Sequence, residues 1–315
     1  MKYARLGKTP FKVSKICLGT LPMGPLQSNL SISEGKEVIR TALELGINFI
    51  DTAQTYGTYP YISEALKGWH QDVVIATKSY AYTREAMAQS LEDARRSLNR
   101  DKIDIFELHE QESALTIKGH WEAVEYLLEA KAKGMVGAVG ISTHAVDAVR
   151  AAANITEIEV IHPLLNIQGL GILDGTLEEM LEVVKLAASK GKGIYGMKAI
   201  GGGNLGGQVK EALDWAFNLD MAHSFAVGMK SIAEVRVNVA WLLGQKPSRG
   251  DLEKVLFRRK MLHIEDWCQG CGKCTELCPQ QALSIVNKRA VVDEKKCLLC
   301  GYCARACRDF CIKVI

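Results

Sequence analysis

The sequence contains no apolar run approaching the ~18–20 residues that a membrane helix needs, so no transmembrane segment is expected. Neither charge dominates: 39 Lys and Arg stand against 36 Asp and Glu, a formal net charge of +3. With no long basic run and no base-reading motif, this balance gives no reason to expect nucleic acid as a partner. The start, MKYARLGKTPFKV, is polar and charged where a secretory signal would be apolar, which points to a cytoplasmic protein. Histidine is absent from the cysteine-rich tail between Cys268 and Cys307.

The tail is where the chain is richest. Cys268, Cys271, Cys274 and Cys278 form one run, with Pro279 directly after it, and Cys297, Cys300, Cys303 and Cys307 form another. Both have the spacing C-x2-C-x2-C-x3-C. This resembles the bacterial ferredoxin pattern, in which each run gives three thiolates to one [4Fe–4S] cluster and its fourth to the other. Soft thiolates suit such clusters. The pattern implies Cys268, Cys271, Cys274 and Cys307 on one cluster and Cys297, Cys300, Cys303 and Cys278 on the second. Zinc modules also use C-x2-C pairs, but two identical four-cysteine runs fit them poorly. A disulfide framework would need an oxidising compartment. One cluster with spare thiols is the remaining alternative. The repeat continues beyond the ligands and puts Cys311 in the slot of Ala282. Cys311 and Cys17 therefore read as small buried core residues.

About 250 of the 315 residues precede this tail, the usual size of a (β/α)8 barrel. Eight strand-like runs are expected: Ile16–Thr20, Asn48–Ala53, Val73–Ser79, Ile103–His109, Ala138–Thr143, Val160–Leu165, Gly193–Ala199 and Ser224–Met229. Helix-like runs follow them, among them Ser33–Leu45, Arg84–Leu98, Trp121–Ala132, Leu177–Ser189 and Val209–Phe217. Ser31 and Glu34 fit a capping box. Gly46, Gly134 and Gly191 stand where helices stop. Nearly continuous apolar strands alternating with helices give a parallel sheet covered by helices. The fold class is α/β: a (β/α)8 TIM barrel with a small C-terminal α+β ferredoxin-like domain. Tyr3–Val13 reads as a hairpin plugging the barrel floor. A doubly wound sheet would want G-x-G-x-x-G after the first strand, and Leu-Pro-Met-Gly-Pro-Leu does not match it. The expected divisions are residues 1–245, a linker 246–262 with a helix over Asp251–Met261, and 263–315. The stretch Lys254–Lys260 is basic; such faces are usually solvated, and an acidic electron carrier is the alternative.

Chemistry in a TIM barrel sits at the C-terminal strand ends. Those ends give Asp51, Tyr56 five residues on, Lys78 and His109. Singly, each has a structural reading as a cap, turn or solvated residue. Together they suit protonation of a carbonyl oxygen while hydride arrives at carbon. A phenol with a reference pKa of ~10 is a poor acid. A neighbouring lysine cation is expected to favour the phenolate, and an aspartate to keep the lysine charged.

Residues 1–245 resemble the aldo/keto reductase family. The matching residues are Leu6-Gly7-Lys8-Thr9, Val13-Ser14-Lys15, Leu18-Gly19-Thr20, Asp51-Thr52-Ala53 with Tyr56-Gly57, Lys78 and His109. The resemblance implies a barrel that binds NAD(H) or NADP(H), with Tyr56 as general acid, Asp51 and Lys78 tuning it and His109 orienting a small carbonyl or alcohol substrate. Ser142 matches the nicotinamide carboxamide contact; Thr143 and His162 depart from the family residues there. Met197 replaces a common stacking aromatic. Lys198 and Gly201-Gly202-Gly203 stand where pyrophosphate could be held. Gly228-Met229-Lys230-Ser231 opens a helix, an anion site by geometry. Asn238 matches the adenine contact. Glu234 stands where NADP-preferring relatives carry arginine, which leans the choice toward NAD, against Lys230 and Arg236.

Hydride carries two electrons and a cluster takes one. A flavin could split the pair, but no clear flavin motif is present. Three readings follow: a reductase whose clusters link the barrel to an external one-electron carrier; a carbonyl reductase with a structural tail; a non-enzymatic electron-transfer module. The linker geometry predicts that the tail packs near the active rim. Pro22, Met23, Tyr80, Tyr82 and Trp121 are candidate substrate walls.

Overall fold

The computed structural model describes residues 1–256 and 260–315. An antiparallel hairpin, β1 (Tyr3–Arg5) and β2 (Lys12–Ser14), precedes the barrel. Eight parallel strands then close on themselves: β3 (Ile16–Gly19), β4 (Phe49–Asp51), β5 (Val74–Ser79), β6 (Ile103–Leu108), β7 (Val136–Thr143), β8 (Val160–Pro163), β9 (Gly193–Met197) and β10 (Ser224–Gly228). All eight expected strands are present, several a residue or two shorter at the rim, where the chain leaves the ladder to build loops.

Alternation along each strand separates two cores, because successive side chains point to opposite faces. Phe49, Val74, Ala76, Ile105, Ala138, Val160 and Tyr195 fill the barrel interior. Leu6 and Val13 of the hairpin close that interior from below, as expected for a plug. Ile50, Ile75, Phe106, Val139 and Ile161 point outward under the helices. The helices start and stop where their caps dictate. Ser31 and Glu34 form the capping box of helix Ile32–Glu44, and Gly46, Gly134 and Gly191 take left-handed conformations just past helix ends.

The linker differs from expectation at both ends. Its helix begins earlier, at Arg249–Leu256, because the Ser248 hydroxyl accepts the Asp251 N–H at 3.1 Å and caps it. At the other end Met261 is not helical: its N–H and C=O pair with Ile315 at 3.0 Å each, extending a strand ladder. Phe257, Arg258 and Arg259 lie outside the described residues, and most of the basic stretch falls on or beside them.

The C-terminal part has two short antiparallel pairs, β11 (Leu262–Ile264) with β14 (Ile312–Val314) and β12 (Leu283–Val286) with β13 (Arg289–Val292). The internal repeat is visible in the backbone. Gly270, Gly272 and Gln281 have positive φ, as do their counterparts Leu299, Gly301 and Phe310. Ala282 N–H donates to Cys278 Sγ at 3.3 Å, and Cys311 N–H donates to Cys307 Sγ at 3.2 Å.

This part packs on the rim loops after β8 and β9. Asn204 donates to the Ile312 carbonyl at 3.1 Å, and Arg305 to Gln168 at 3.0 Å. Gly203 has φ +86°, and a Cβ there would stand 1.8 Å from the Val314 carbonyl oxygen, so only glycine permits this approach. Among the described residues, no helix is long and apolar enough to cross a membrane.

Candidate functional site

Asp51 ends β4, Lys78 is the fifth residue of β5, and His109 follows β6. All three take the inward parity. Lys78 Nζ donates to Asp51 Oδ1 at 2.5 Å and to the Thr52 carbonyl at 2.8 Å. Tyr56 sits in a short 3-10 turn, Gln54–Tyr56. Gln54 anchors that turn by accepting from Ser79 at 2.7 Å and Ser90 at 3.1 Å. Thr58 bridges Thr20 and Thr52 at 2.8 Å each. Thr20 also donates to the Asp51 carbonyl. The turn brings the Tyr56 ring to 5.4 Å from Lys78 Nζ and 5.9 Å from the His109 ring. The four expected residues therefore meet at one rim.

Their electrostatics correct one expectation. The Tyr56 phenol is held well above its usual range, not lowered: burial dominates, and Asp51, Glu110, Glu107 and Glu265 add to it. The Lys78 ammonium, bonded to Asp51 and the Thr52 carbonyl, does not outweigh these influences. Burial also pushes the Asp51 carboxyl up, with Lys78 and Tyr195 opposing. His109 is held well below its usual value by burial, then by Lys78, His162 and Lys198, and is a neutral imidazole. Its Nδ1 is buried without a hydrogen-bond partner. Tyr80 stacks on it at 4.3 Å and donates to Glu110 at 2.6 Å, which places Tyr80 beside His109 at the rim. Met23 does not wall the site, since it is fully buried in the outer core.

The expected nucleotide contacts are arranged unevenly. Ser142 on β7 pairs in register with His162 on β8, at the rim. The Ser142 hydroxyl accepts the Glu110 N–H at 2.9 Å, and Thr143 accepts the Ala145 N–H at 2.8 Å. His162 stacks on Tyr195 at 3.8 Å, and its Nδ1 lies 2.6 Å from the Tyr195 carbonyl oxygen. Met197 is buried. Gly19 packs against the backbone of Val227 and Gly228, a structural reason for glycine there. The glycine run after β9 is not an open amide cradle. Gly201 and Gly203 donate within their own turn, and Gly202 and Gly203 face Phe310, Lys313 and Val314 of the C-terminal part. Burial and the neighbouring Lys313 push Lys198 down to about 7. At the start of helix Ile232–Leu242, Glu234 Oε2 accepts the Lys230 N–H at 2.6 Å and Ser231 accepts the Glu234 N–H at 3.2 Å. The helix dipole favours an acidic side chain there, so Glu234 occupies the anion position its own helix creates. Asn238 is buried on that helix.

Sequence reading missed several residues that the fold brings to this rim. Glu107 and Tyr195 share the inward layer with Asp51. From the C-terminal part come Phe310, whose ring centre lies 4.2 Å from Lys198 Nζ, and a buried Lys313–Glu265 ion pair beside Trp267. A glutamate of the same parity as His109 was the one available signal for the first. The others depend on long-range packing.

The eight run cysteines line two cavities of about 340 Å³ each, open mouths included. One is bordered by Cys268, Cys271, Cys274 and Cys307, with Cys311 in its wall. The other is bordered by Cys278, Cys297, Cys300 and Cys303. The fourth cysteine of each run has crossed to the other cavity. This donor set, four thiols around a space with backbone N–H groups aimed at sulfur, fits iron–sulfur clusters.

Residues 15–214 match the model of the aldo/keto reductase family, and residues 260–308 match a 4Fe-4S dicluster domain. The chain is similar to L-galactose dehydrogenase of Arabidopsis thaliana, 24% identical over 75% of this chain and 86% of that protein. It is also similar to methylglyoxal reductase DkgA of Escherichia coli, 27% identical over 51% of this chain and 62% of that protein. The fold aligns with an aldo-keto reductase from Bacillus halodurans in its holo form, with a TM-score of 0.66 and 21% identity over 81% of this chain and 95% of that one. The chain thus belongs to the aldo/keto reductase family, as an oxidoreductase whose barrel carries a C-terminal 4Fe-4S dicluster domain.

Proposed function

We propose that this protein interconverts a small carbonyl compound and its alcohol with NAD(P)H, and exchanges electrons through two [4Fe–4S] clusters with an external one-electron carrier. The observation that carries the reading is the convergence of Asp51, Tyr56, Lys78 and His109 with a cluster domain that abuts the same rim. Two relatives are named for a methylglyoxal reductase and an L-galactose dehydrogenase, which supports a small carbonyl or alcohol as the substrate class. When bound, the nicotinamide would supply or take hydride, and the two clusters together would take or supply the two electrons of one hydride, one each, with its proton passing to or from solvent.

This chain's own residues do the rest. Tyr56 donates its phenolic proton to the carbonyl oxygen and takes it back in the oxidative direction. Lys78, fixed by Asp51, stabilises the phenolate left behind. Neutral His109 orients the carbonyl oxygen, and Tyr80 holds the imidazole in place. Ser142, Thr143, His162 and Met197 would border the nicotinamide. Lys198, Lys230, Ser231 and Asn238 would serve the phosphates and adenine. The position of Glu234 favours NAD over a 2′-phosphorylated nucleotide. Cys268, Cys271, Cys274 and Cys307 would hold one cluster and Cys278, Cys297, Cys300 and Cys303 the other. A reducing, cytoplasmic setting suits these thiolates.

The test is anaerobic reconstitution followed by NADH and NADPH oxidation with a panel of small aldehydes, ketones and hydroxyaldehydes. Carbonyl-dependent turnover with a kcat/KM ratio favouring NADH supports the reading. A hundredfold NADPH preference overturns the nucleotide assignment, and no turnover in a cluster-replete protein overturns the activity.

A further inference from the structure

Strand β6 carries Glu107 two residues before His109, on the same inward face. The acid–base assignment above does not use it. Its side chain is fully buried, and neither carboxyl oxygen is satisfied at hydrogen-bond geometry: the nearby Tyr195 hydroxyl interacts with it only weakly while donating to Asp51. An ionised carboxylate left this way is strongly unfavourable, so the neutral acid is the natural form unless a cation compensates it.

The groups facing it define its state. Lys78 is its register partner on β5, but that ammonium is already bonded to Asp51 and Thr52. Asp51 on β4 contributes a like charge. Tyr195 on β9 lies beside it and donates to Asp51 at 3.1 Å. His162 on β8, neutral and stacked on Tyr195, has its Nε2 3.7 Å from Asp51. Cys17 on β3 is a buried thiol whose proton Asp51 and Glu107 both help to retain. On β7, Gly140 is the register partner and brings no titratable group; a Cβ there would stand 3.1 Å from Glu107 Cγ. Two carboxyls thus lie within electrostatic reach of one lysine, which is bonded to only one of them. Burial is the largest influence on Glu107 and pushes it up to about 8, with Lys78 opposing and Asp51 reinforcing.

We propose that Glu107 is a positioning residue for the Tyr56 acid: protonated, it leaves Lys78 paired with Asp51 alone, and ionised, it competes for that ammonium and shuts off proton delivery. The inference rests on reading Tyr56 as the proton donor. In carbonyl reduction the proton moves from Tyr56 to the carbonyl oxygen and leaves a phenolate. Glu107 gives up no proton in that step. Its ionisation places another negative charge in the layer beneath the phenolate, which opposes its formation, and Glu107 is among the groups that raise the phenol.

The test compares wild type with Glu107→Gln, both as full chains with clusters reconstituted anaerobically. The first readout is the pH profile of kcat/KM for carbonyl reduction. Wild type is expected to lose activity through about 8. In Glu107→Gln that alkaline limb should move up by about one pH unit or more, roughly tenfold in activity on the limb. An unmoved limb overturns the inference, even if the melting temperature changes. Glu107→Leu, also unable to ionise, replaces the glutamine variant if that one fails to fold. The second readout needs no turnover: pH-difference infrared spectra should show a carboxylic acid C=O band in wild type that is absent from the variant. If wild type proves inactive, the proposed activity fails, and this band decides on Glu107 alone. Its absence from wild type overturns the inference.

Discussion

Lys198 of the barrel places its ammonium 4.2 Å from the ring centre of Phe310, three residues beyond Cys307. The same ring lies 6.1 Å from His144 and closes over Gly171 and Gly202. A segment of the 4Fe-4S dicluster domain therefore forms part of the barrel rim on which Asp51, Tyr56, Lys78 and His109 meet. Truncating the ring in Phe310→Ala should cost about 3–5 kcal/mol of local or global stability. Hydrogen exchange should rise at residues 200–206 and 310–315 together while the hairpin plug stays protected. Phe310→Leu should recover about half of the loss.

Tyr56→Phe removes the only proton the proposed mechanism transfers. Carbonyl reduction should fall by about 10²–10⁴, with nucleotide affinity and iron content unchanged. Stopped-flow single-turnover rates would check this without interference from product release.

Much of this site was legible in the sequence. The cysteine spacing marks the eight thiols because each interval is short and local, and the structure gathers them as two quartets around two cavities. Asp51, Tyr56, Lys78 and His109 were legible because strand ends in a barrel share one rim. Glu107 was not singled out, since one glutamate in Ile103–His109 reads as strand until its parity with His109 is considered. The Phe310–Lys198 contact and the Met261–Ile315 pairing were illegible: they join segments far apart in sequence, and no local pattern encodes them. Met23 misled because a residue after a strand end can fold back into the outer core as easily as into the pocket.

Folding stability should report Glu107 independently of catalysis. Its pKa in the folded chain, about 8, lies above the ordinary 4.5, so the folded state binds its proton more tightly. That contribution is fully present below about 4.5 and is lost as pH rises through about 8. Lys198 titrates in the opposite sense, so the comparison of wild type with Glu107→Gln isolates the glutamate. The melting temperature of wild type should fall more steeply between about pH 5 and pH 9 than that of the variant. Parallel curves would place the ionisation of Glu107 elsewhere.

Cys311 lines one cluster cavity without belonging to either run quartet. Its N–H donates to the Cys307 sulfur at 3.2 Å, and its thiol donates to the Asp309 carbonyl at 3.7 Å. Cys311→Ala should therefore keep full iron content and a cluster spectrum close to wild type, since the equivalent position at the other cavity is already an alanine, Ala282. Cys307→Ser should lower iron content and shift the spectrum of one cluster. Loss of iron from Cys311→Ala would make it a ligand.

The central claim is that the barrel and the clusters share electrons. Anaerobic electron paramagnetic resonance of the reconstituted protein, before and after NADH or NADPH is added, tests it most directly. The account predicts a reduced-cluster signal that appears on nucleotide addition and decays when a carbonyl substrate or an oxidised one-electron carrier follows. Rapid carbonyl turnover with no change in cluster signal would contradict it and leave the dicluster domain a structural part of the rim.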